Sequence, residues 1–474
     1  MAGLRGTLAA LHVVASFALS GSRLLTQEPG VYDHYQVHDP DGITRAEFAA
    51  RRAEALRRMP PASAMVVRSA EIRARSNDVD YTFRQRNSLL YLSGVGETGC
   101  ALVLARAAGD SSGAFGRTVL FVDERDPARE IWAGPMMGID VARRVTGIDD
   151  VRPFRTLGRF LDSLLPTVRT LYYDDWAVTT VREPLLDTTI NLERNLRFVL
   201  KSRYGRLVIK GAGEILHDMR CVKSPAEIEL MRKAVAATIA GHRSTIRSGR
   251  PGIAEYELEA TMEYEFARHG AESPGYPSIV GSGPNSCILH YESNRRRTAA
   301  GDLVLMDCGA EYRGYSADIT RTFPVSGRFT PEQRTLYELV LKAQEAGIDA
   351  CQPGNFFIDT HRRALEVLGE GLAKLGIIDD VSEVTRYFPH GASHYLGLDV
   401  HDVGNLAARL QPGMILTVEP GIYIPAGSPC DRKWWNIGIR IEDDILVTPS
   451  GPENLSADLE RSADHIERLM KGGN

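Results

Sequence analysis

The chain has 474 residues, 43% of them hydrophobic and 25% charged, the balance of an ordinary globular protein with enough apolar material for two or three domains. A formal net charge of −5 argues against nucleic acid as the main partner and leaves a small or peptidic ligand as the expectation. Six cysteines, Cys100, Cys221, Cys287, Cys308, Cys351 and Cys430, form no CxxC pair and no dense framework, which excludes a zinc ribbon or a disulfide scaffold and reads as buried thiols.

Arg5 precedes a mostly apolar stretch from Leu8 to Leu19, and Ala18 with Ser20 gives a small-x-small pattern. Residues 1–22 are therefore a candidate signal peptide, too short to span a bilayer comfortably. Periplasmic export follows if it is one, and cytoplasmic residence is the alternative. From Thr44 a capping-box pattern with Glu47 opens a helix rich in alanine, leucine and arginine. Strand candidates at 65–67, 101–104, 118–122 and 171–173 then alternate with helical stretches such as 156–165. That is the signature of an α/β N-terminal domain, placed at 38–200. It carries no glycine-rich phosphate loop and no cluster of His, Cys or acids, so its expected role is structural, or concerned with access and assembly. Residues 201–220 are less regular and read as a connection.

A second domain, 221–466, opens at Ser224. Ser224, Pro225 and Glu227 supply an N-cap, a first-turn proline and a capping-box acid, and Ile228, Met231, Val235 and Ile239 keep one apolar face until Gly249 and Pro251. The same device recurs at Thr330, Pro331 and Gln333. Between these helices lies LVLMDCGAEYRGYSADITRTFP, residues 303–324, which reads as a hairpin. A loop centred near Tyr312 and Arg313 would set Asp307 against Asp318. Like charges ~4 Å apart repel by roughly 4 kcal/mol at an effective dielectric of about 20, so such a pair calls for a shared proton or a cation. Taken alone, two aspartates are as readily exposed turn residues.

The remaining motifs decide between these readings. PHGASHYLGLDVHDVG holds His390, His394 and His401 among glycines, and GMILTVEPGIYI ends an apolar strand at Glu419. In NIGIRIEDDILV, Ile437, Ile439 and Ile441 share one side of a strand and Arg440 and Glu442 the other, a pattern usual for a half-exposed strand. His290 follows the apolar run Cys287 to Leu289. Asp307, Asp318, Glu419 and Glu442 supply four negative charges and His394 a neutral nitrogen, matching two divalent cations almost charge for charge. The set is oxygen-rich and free of thiolate, so it suits Mn²⁺, with Co²⁺, Fe²⁺ or Zn²⁺ as alternatives.

The order and spacing of MDCGAEYRGYSADITRTFP, HGASHYLGLDVHDVG, TVEPGIYI and GIRIEDD resemble the metal-dependent pita-bread peptidases, and most closely the Xaa-Pro aminopeptidases. RSNDVDYTFRQRNSLLYLSGV and EIWAG resemble the N-terminal domain of the same enzymes, so the likeness runs from about residue 40 to 465. It implies an α/β N-terminal domain followed by an α+β pita-bread catalytic domain. It further implies a dinuclear site in which Asp307 chelates one metal, Asp318 and Glu442 bridge both, and His394 with Glu419 hold the other. His290, His390 and His401 match outer histidines that contact substrate or relay protons, and Arg440 matches an arginine that orders the site.

The implied reaction is attack by a metal-bridged hydroxide on the bond between an N-terminal residue and a following proline, with Glu419 as general base and His290 or His401 donating to the oxyanion. Implied partners are peptides with proline second and further copies of the chain, as dimer or tetramer. The alternatives are a prolidase, which cuts only Xaa-Pro dipeptides, and a non-catalytic peptide-binding relative. Composition and spacing themselves show no preference for proline.

Overall fold

The computed structural model describes residues 42–110, 116–174, 180–183 and 188–472, so the candidate signal peptide lies outside the described residues. The chain divides into two compact units between Ala212 and Gly213. No helix among the described residues is long and apolar enough to cross a membrane.

In the first unit Thr44 caps α1 (Arg45–Arg58), its hydroxyl accepting from Glu47 N–H at 3.2 Å. Two buried arginines on α1 donate to the carbonyls at the end of α2 (Asn87–Ser93): Arg51 to Tyr91 O at 3.2 Å and Arg52 to Leu92 O at 3.0 Å. Cations are favoured at that helix end. The strands of its main sheet are β1 (Ser63–Arg68), β2 (Ala101–Arg106), β3 (Arg117–Val122), β4 (Val151–Pro153), β5 (Thr170–Tyr173) and β6 (Val208–Gly211). They form one mixed sheet in the order β6-β5-β1-β2-β3-β4. Val66, Val103, Phe121 and Leu171 meet Phe160, from α3 (Leu157–Leu164), in its core.

The stretch 201–220 holds the end of α4 (Leu192–Arg203), all of β6 and most of α5 (Gly213–Cys221). β6 is an edge strand whose residues alternate between exposed and half-buried, and edge strands carry little apolar signal.

In the second unit both capping boxes form completely. Ser224 and Glu227 open α6 (Pro225–Ser248), and Thr330 and Gln333 open α8 (Pro331–Asp349). α6 packs on α7 (Glu255–Arg268), and α8 on α9 (Ile358–Lys374). The 303–324 segment is a hairpin with a break in it. β8 (Leu303–Cys308) and β11 (Ile319–Pro324) pair in a sheet of order β7-β8-β11, with β7 at Ile279–Ser282, while β9 (Ala310–Tyr312) and β10 (Tyr315–Ser316) form the tip.

The turn residues are Arg313 and Gly314, at φ 52° and 82°, and positive φ at both central positions is the tight hairpin geometry that matches strand twist. The turn centre therefore lies one residue later than the sequence suggested. Asp307 opposes Thr320, and Asp318 is not its direct partner. Since the register moves by two residues, both aspartates keep the same face.

The last strands are β12 (Ile415–Val418), β13 (Gly421–Ile424), β14 (Ile437–Arg440), β15 (Asp443–Thr448) and β16 (Gly451–Asn454), in sheets β12-β15-β16 and β13-β14. The expected single strand through 437–447 is broken between Arg440 and Asp443, and its two pieces join different sheets. Neither side of it is half-exposed: Ile437, Ile439, Arg440 and Glu442 are all buried. One core links the helix pairs to the strands through Leu258, Met262, Met306, Leu336, Leu368 and Ile439. The six cysteines are free; Cys100, Cys221, Cys308 and Cys351 are buried, whereas Cys287 and Cys430 are partly exposed.

Candidate active site

Strand alternation places the acids. In β8, Val304, Met306 and Cys308 enter the main core, which turns Leu305 and Asp307 to the opposite face. In β14, Ile437 and Ile439 enter that core and Arg440 faces the cavity. Thr320, opposite Asp307, ties the two regions together. Its hydroxyl donates to Glu442 Oε2 at 2.6 Å and accepts from Arg440 Nε at 3.2 Å. Glu419 leaves the end of β12, where Glu419 N–H donates to Ala392 O at 2.8 Å and so draws the histidine loop alongside. His290 reaches the same space from irregular chain after a 3₁₀ turn at Gly283–Cys287.

All nine side chains singled out above, His290, Asp307, Asp318, His390, His394, His401, Glu419, Arg440 and Glu442, line one cavity of about 430 Å³. Ligand pockets commonly fall in this size range.

Hydrogen bonds divide the histidines. His394 Nδ1 lies 3.0 Å from Tyr395 O; donation there leaves Nε2 facing Asp318 Oδ2 at 3.3 Å and Glu419 Oε1 at 3.5 Å. His390 Nδ1 lies 2.8 Å from Gly391 O, and its Nε2 lies 2.8 Å from the Tyr423 hydroxyl, which accepts from Arg440 Nη1 at 2.8 Å. Both His390 nitrogens are thus engaged by the protein. No such bond engages the His290 or His401 ring among the described residues. His401 lies edge-on to His394 with centroids 4.4 Å apart.

Electrostatics separate the carboxylates. Burial opposes the ionised form of Asp307, but Arg440 beside it, with the Tyr276 hydroxyl, holds its pKa below the usual range. Asp318 is raised by burial and by the Asp307 charge. Burial pushes Glu419 up to about 7, against the pull of His394 and Arg440. Glu442 goes well above its ordinary value through burial and the charges of Asp318, Glu419 and Asp307. Burial works against charging His394, yet Asp318 and Glu419 raise it to about 9. Burial and Arg440 bring His390 down to about 4.

This donor set fits divalent cations. Asp318, His394 and Glu442 each offer a ligand atom, and these atoms lie within 4.8 Å of one another. A ring nitrogen whose other N–H is fixed by a backbone carbonyl is the usual arrangement of a metal-binding histidine. The Tyr276 hydroxyl stands 2.6 Å from Asp307 Oδ1 and 2.5 Å from Asp318 Oδ1. One hydroxyl hydrogen cannot serve two carboxylates fully; Arg440 compensates Asp307, and Asp318 is left calling for a proton or a cation. Asp307 and Glu419 line the same cavity.

Tyr276, Tyr423, Thr320 and Thr417 were missed by sequence reasoning. Tyr423 was findable, since in Gly421–Ile424 the residues Ile422 and Ile424 enter the core and leave it on the opposite face. Tyr276 lies between β-strands in a Gly- and Pro-flanked segment without periodicity, where no pattern marks it. In the run Arg295 to Arg297, the last two arginines brace a surface loop. Arg296 Nη1 bonds Ser282 Oγ at 2.8 Å and Asp302 Oδ2 at 2.5 Å, and Arg297 Nη1 bonds Gly252 O at 3.1 Å.

Metallopeptidase family M24 matches residues 229–449, and the N-terminal domain of aminopeptidase P matches residues 48–172. The chain is 38% identical over 441 residues to the Xaa-Pro aminopeptidase of Escherichia coli (strain K12), covering 90% of this chain and 98% of that relative. Proline aminopeptidase P II from Yersinia pestis has a similar solved structure, with a TM-score of 0.83 at 37% identity over 91% of this chain and 100% of that one. A variant of Escherichia coli aminopeptidase P in complex with substrate gives a TM-score of 0.81 at 38% identity, covering 91% of this chain and 99% of that one. With an aminopeptidase P N-terminal domain ahead of an α+β pita-bread catalytic domain, the chain belongs to metallopeptidase family M24, among the Xaa-Pro aminopeptidases.

Proposed function

We propose that this chain is a metal-dependent exopeptidase that hydrolyses the bond between an N-terminal residue and a following proline. The observation that carries the reading is the convergence of four carboxylates and His394 with two unengaged histidines on one cavity. Asp307, Asp318, His394, Glu419 and Glu442 are the residues that would hold two ions. When bound, a pair of divalent ions, for which this oxygen-rich set favours Mn²⁺, supplies Lewis acidity toward the scissile carbonyl and lowers the pKa of a nearby water from 15.7 toward ~7.

The chain's own groups do the rest. Glu419 takes the proton of the attacking water and returns it to the departing proline nitrogen. His290 and His401, whose ring nitrogens are not engaged among the described residues, donate to the oxyanion and to the substrate backbone. His390 is spent on Gly391 and Tyr423, so it orients Tyr423 and Arg440 rather than donating to substrate. Arg440 keeps Asp307 ionised and fixed.

The test is hydrolysis of a proline-second tripeptide and of an Xaa-Pro dipeptide, with Mn²⁺ and with chelator. Release of the first residue from the tripeptide, lost on chelation, is the expected result. Cleavage of the dipeptide alone would make the chain a prolidase, and cleavage of neither under any metal would make it a binding relative. The same reading includes assembly into dimers or tetramers, which light scattering of the purified protein checks.

A further inference from the structure

The loop that carries His394 and His401 is closed on itself. Asp402 N–H donates to Tyr395 O at 2.8 Å, joining the residue after one histidine to the residue after the other. That closure sets the approach of the two rings. The Asp402 carboxylate is 1% exposed and accepts from two buried cations, Arg220 Nη2 and Lys223 Nζ, the latter at 3.0 Å. Arg220, at the end of α5, also donates to Asp399 Oδ2 at 2.8 Å. Two cations thus face two carboxylates, and the cluster adds no net charge to the neighbouring cavity.

His394 has its own anchor. Its N–H donates to Thr417 Oγ1 at 3.1 Å, its carbonyl accepts from Thr417 N–H at 2.9 Å, and Leu396 N–H donates to Ile415 O at 3.1 Å. It is therefore held against β12 whether or not the loop beyond it is clamped. His401 is held through its neighbour. We infer that Asp402, gripped by Arg220 and Lys223, is a positioning residue that aims His401 at the substrate while leaving His394 in place. The inference rests on His401 acting in hydrolysis, as proposed above.

A 1 Å displacement of a catalytic group can slow turnover by about 10²-fold, and that is the scale expected for losing the clamp. The experiment compares wild type, Asp402→Asn, His401→Ala and the double variant on a proline-second tripeptide. It measures kcat and KM, and follows Mn²⁺ binding to chelated protein by calorimetry. Expected is a fall in kcat for Asp402→Asn with Mn²⁺ affinity unchanged, and a double variant no slower than His401→Ala alone.

Effects that multiply in the double variant, or Mn²⁺ affinity that falls with kcat, would overturn the inference and make the clamp a general support. A His401→Ala variant with unchanged kcat would instead sink the role of His401, and this proposal with it. If Asp402→Asn does not fold, Gly397→Ala takes its place under the same criteria. Its added Cβ would meet Asp402 Oδ2 at 2.2 Å, which displaces the carboxylate without changing any charge.

Discussion

Arg440 Nη2 donates to Asp307 Oδ2 at 2.5 Å with both side chains buried. The arginine offsets the cost of burying that acid and keeps its pKa below the usual carboxylate range. Arg440→Gln removes the charge, so Asp307 holds its proton to higher pH. The acid limb of the pH–rate profile should then move to higher pH than in wild type, and more Mn²⁺ should be needed for half-maximal activity. Profiles that superimpose at saturating Mn²⁺ and at limiting Mn²⁺ alike would contradict this role for Arg440.

Glu419 carries a prediction for the chelated protein. Burial raises its folded pKa to about 7, above the ordinary value of about 4.3 in an unfolded chain. The folded state therefore holds this proton more tightly, and the associated stability is present below the unfolded pKa and lost as pH rises through about 7. Melting temperatures of the chelated protein should fall between pH 5 and pH 8. Glu419→Gln should flatten that slope while lowering kcat of the metal-loaded protein by on the order of 10³-fold. Added Mn²⁺ should restore wild-type stability at pH 8 with the logarithm of its concentration over Kd. An unchanged slope in the variant would place the titration on another group.

Behind the site, Arg321 is fully buried and donates to Asp443 Oδ1 at 2.7 Å and to Glu442 O at 2.6 Å. It joins β11 to the chain break between β14 and β15, where Glu442 sits. Removing one partner of a buried pair costs ~3–5 kcal/mol when the other charge is left uncompensated; Arg461 Nη1, 3.2 Å from Asp443 Oδ2, still offsets part of that charge, so the lower end, ~3 kcal/mol, is expected. Arg321→Met should lower stability by about that much in urea unfolding, and weaken Mn²⁺ binding through the loosened Glu442 backbone. Loss of stability with unchanged Mn²⁺ affinity would show that the two functions are separate.

How far the sequence could be read follows from which interactions are local. The caps at Ser224 and Thr330 are complete within four residues, so their motifs place α6 and α8 directly. Asp307 and Arg440 are placed by strand alternation and Glu419 by the end of an apolar strand, which are also local. The hairpin register was misplaced: Arg313 and Gly314 sit where turn residues are wanted, but centring the loop on Tyr312 and Arg313 shifts the pairing, and apolar spacing allows both. The positive φ angles at Arg313 and Gly314 decide it. Tyr276 lies 31 positions from Asp307 and 42 from Asp318, and only the folded sheet brings it between them.

The break in the hairpin depends on Gly309. A Cβ there would stand 1.8 Å from Ala317 O, closer than any side chain tolerates, and no flexible group can move aside because the obstacle is backbone. Gly309 lies two residues after Asp307, and Ala317 directly precedes Asp318, so strain at this crossing reaches both aspartates. Overpacking of a tight interior typically costs 1–3 kcal/mol. Gly309→Ala should therefore lower stability by about 2 kcal/mol and, by separating Asp307 from Asp318, weaken Mn²⁺ binding more than Ala substitution at the exposed Gly96, where a Cβ meets nothing within 4 Å. Calorimetric Mn²⁺ titration of the two variants, each checked for folding by circular dichroism, makes the comparison. Equal affinities would show that the close crossing at Gly309 serves the strand path alone and leaves the spacing of the two acids to Tyr276.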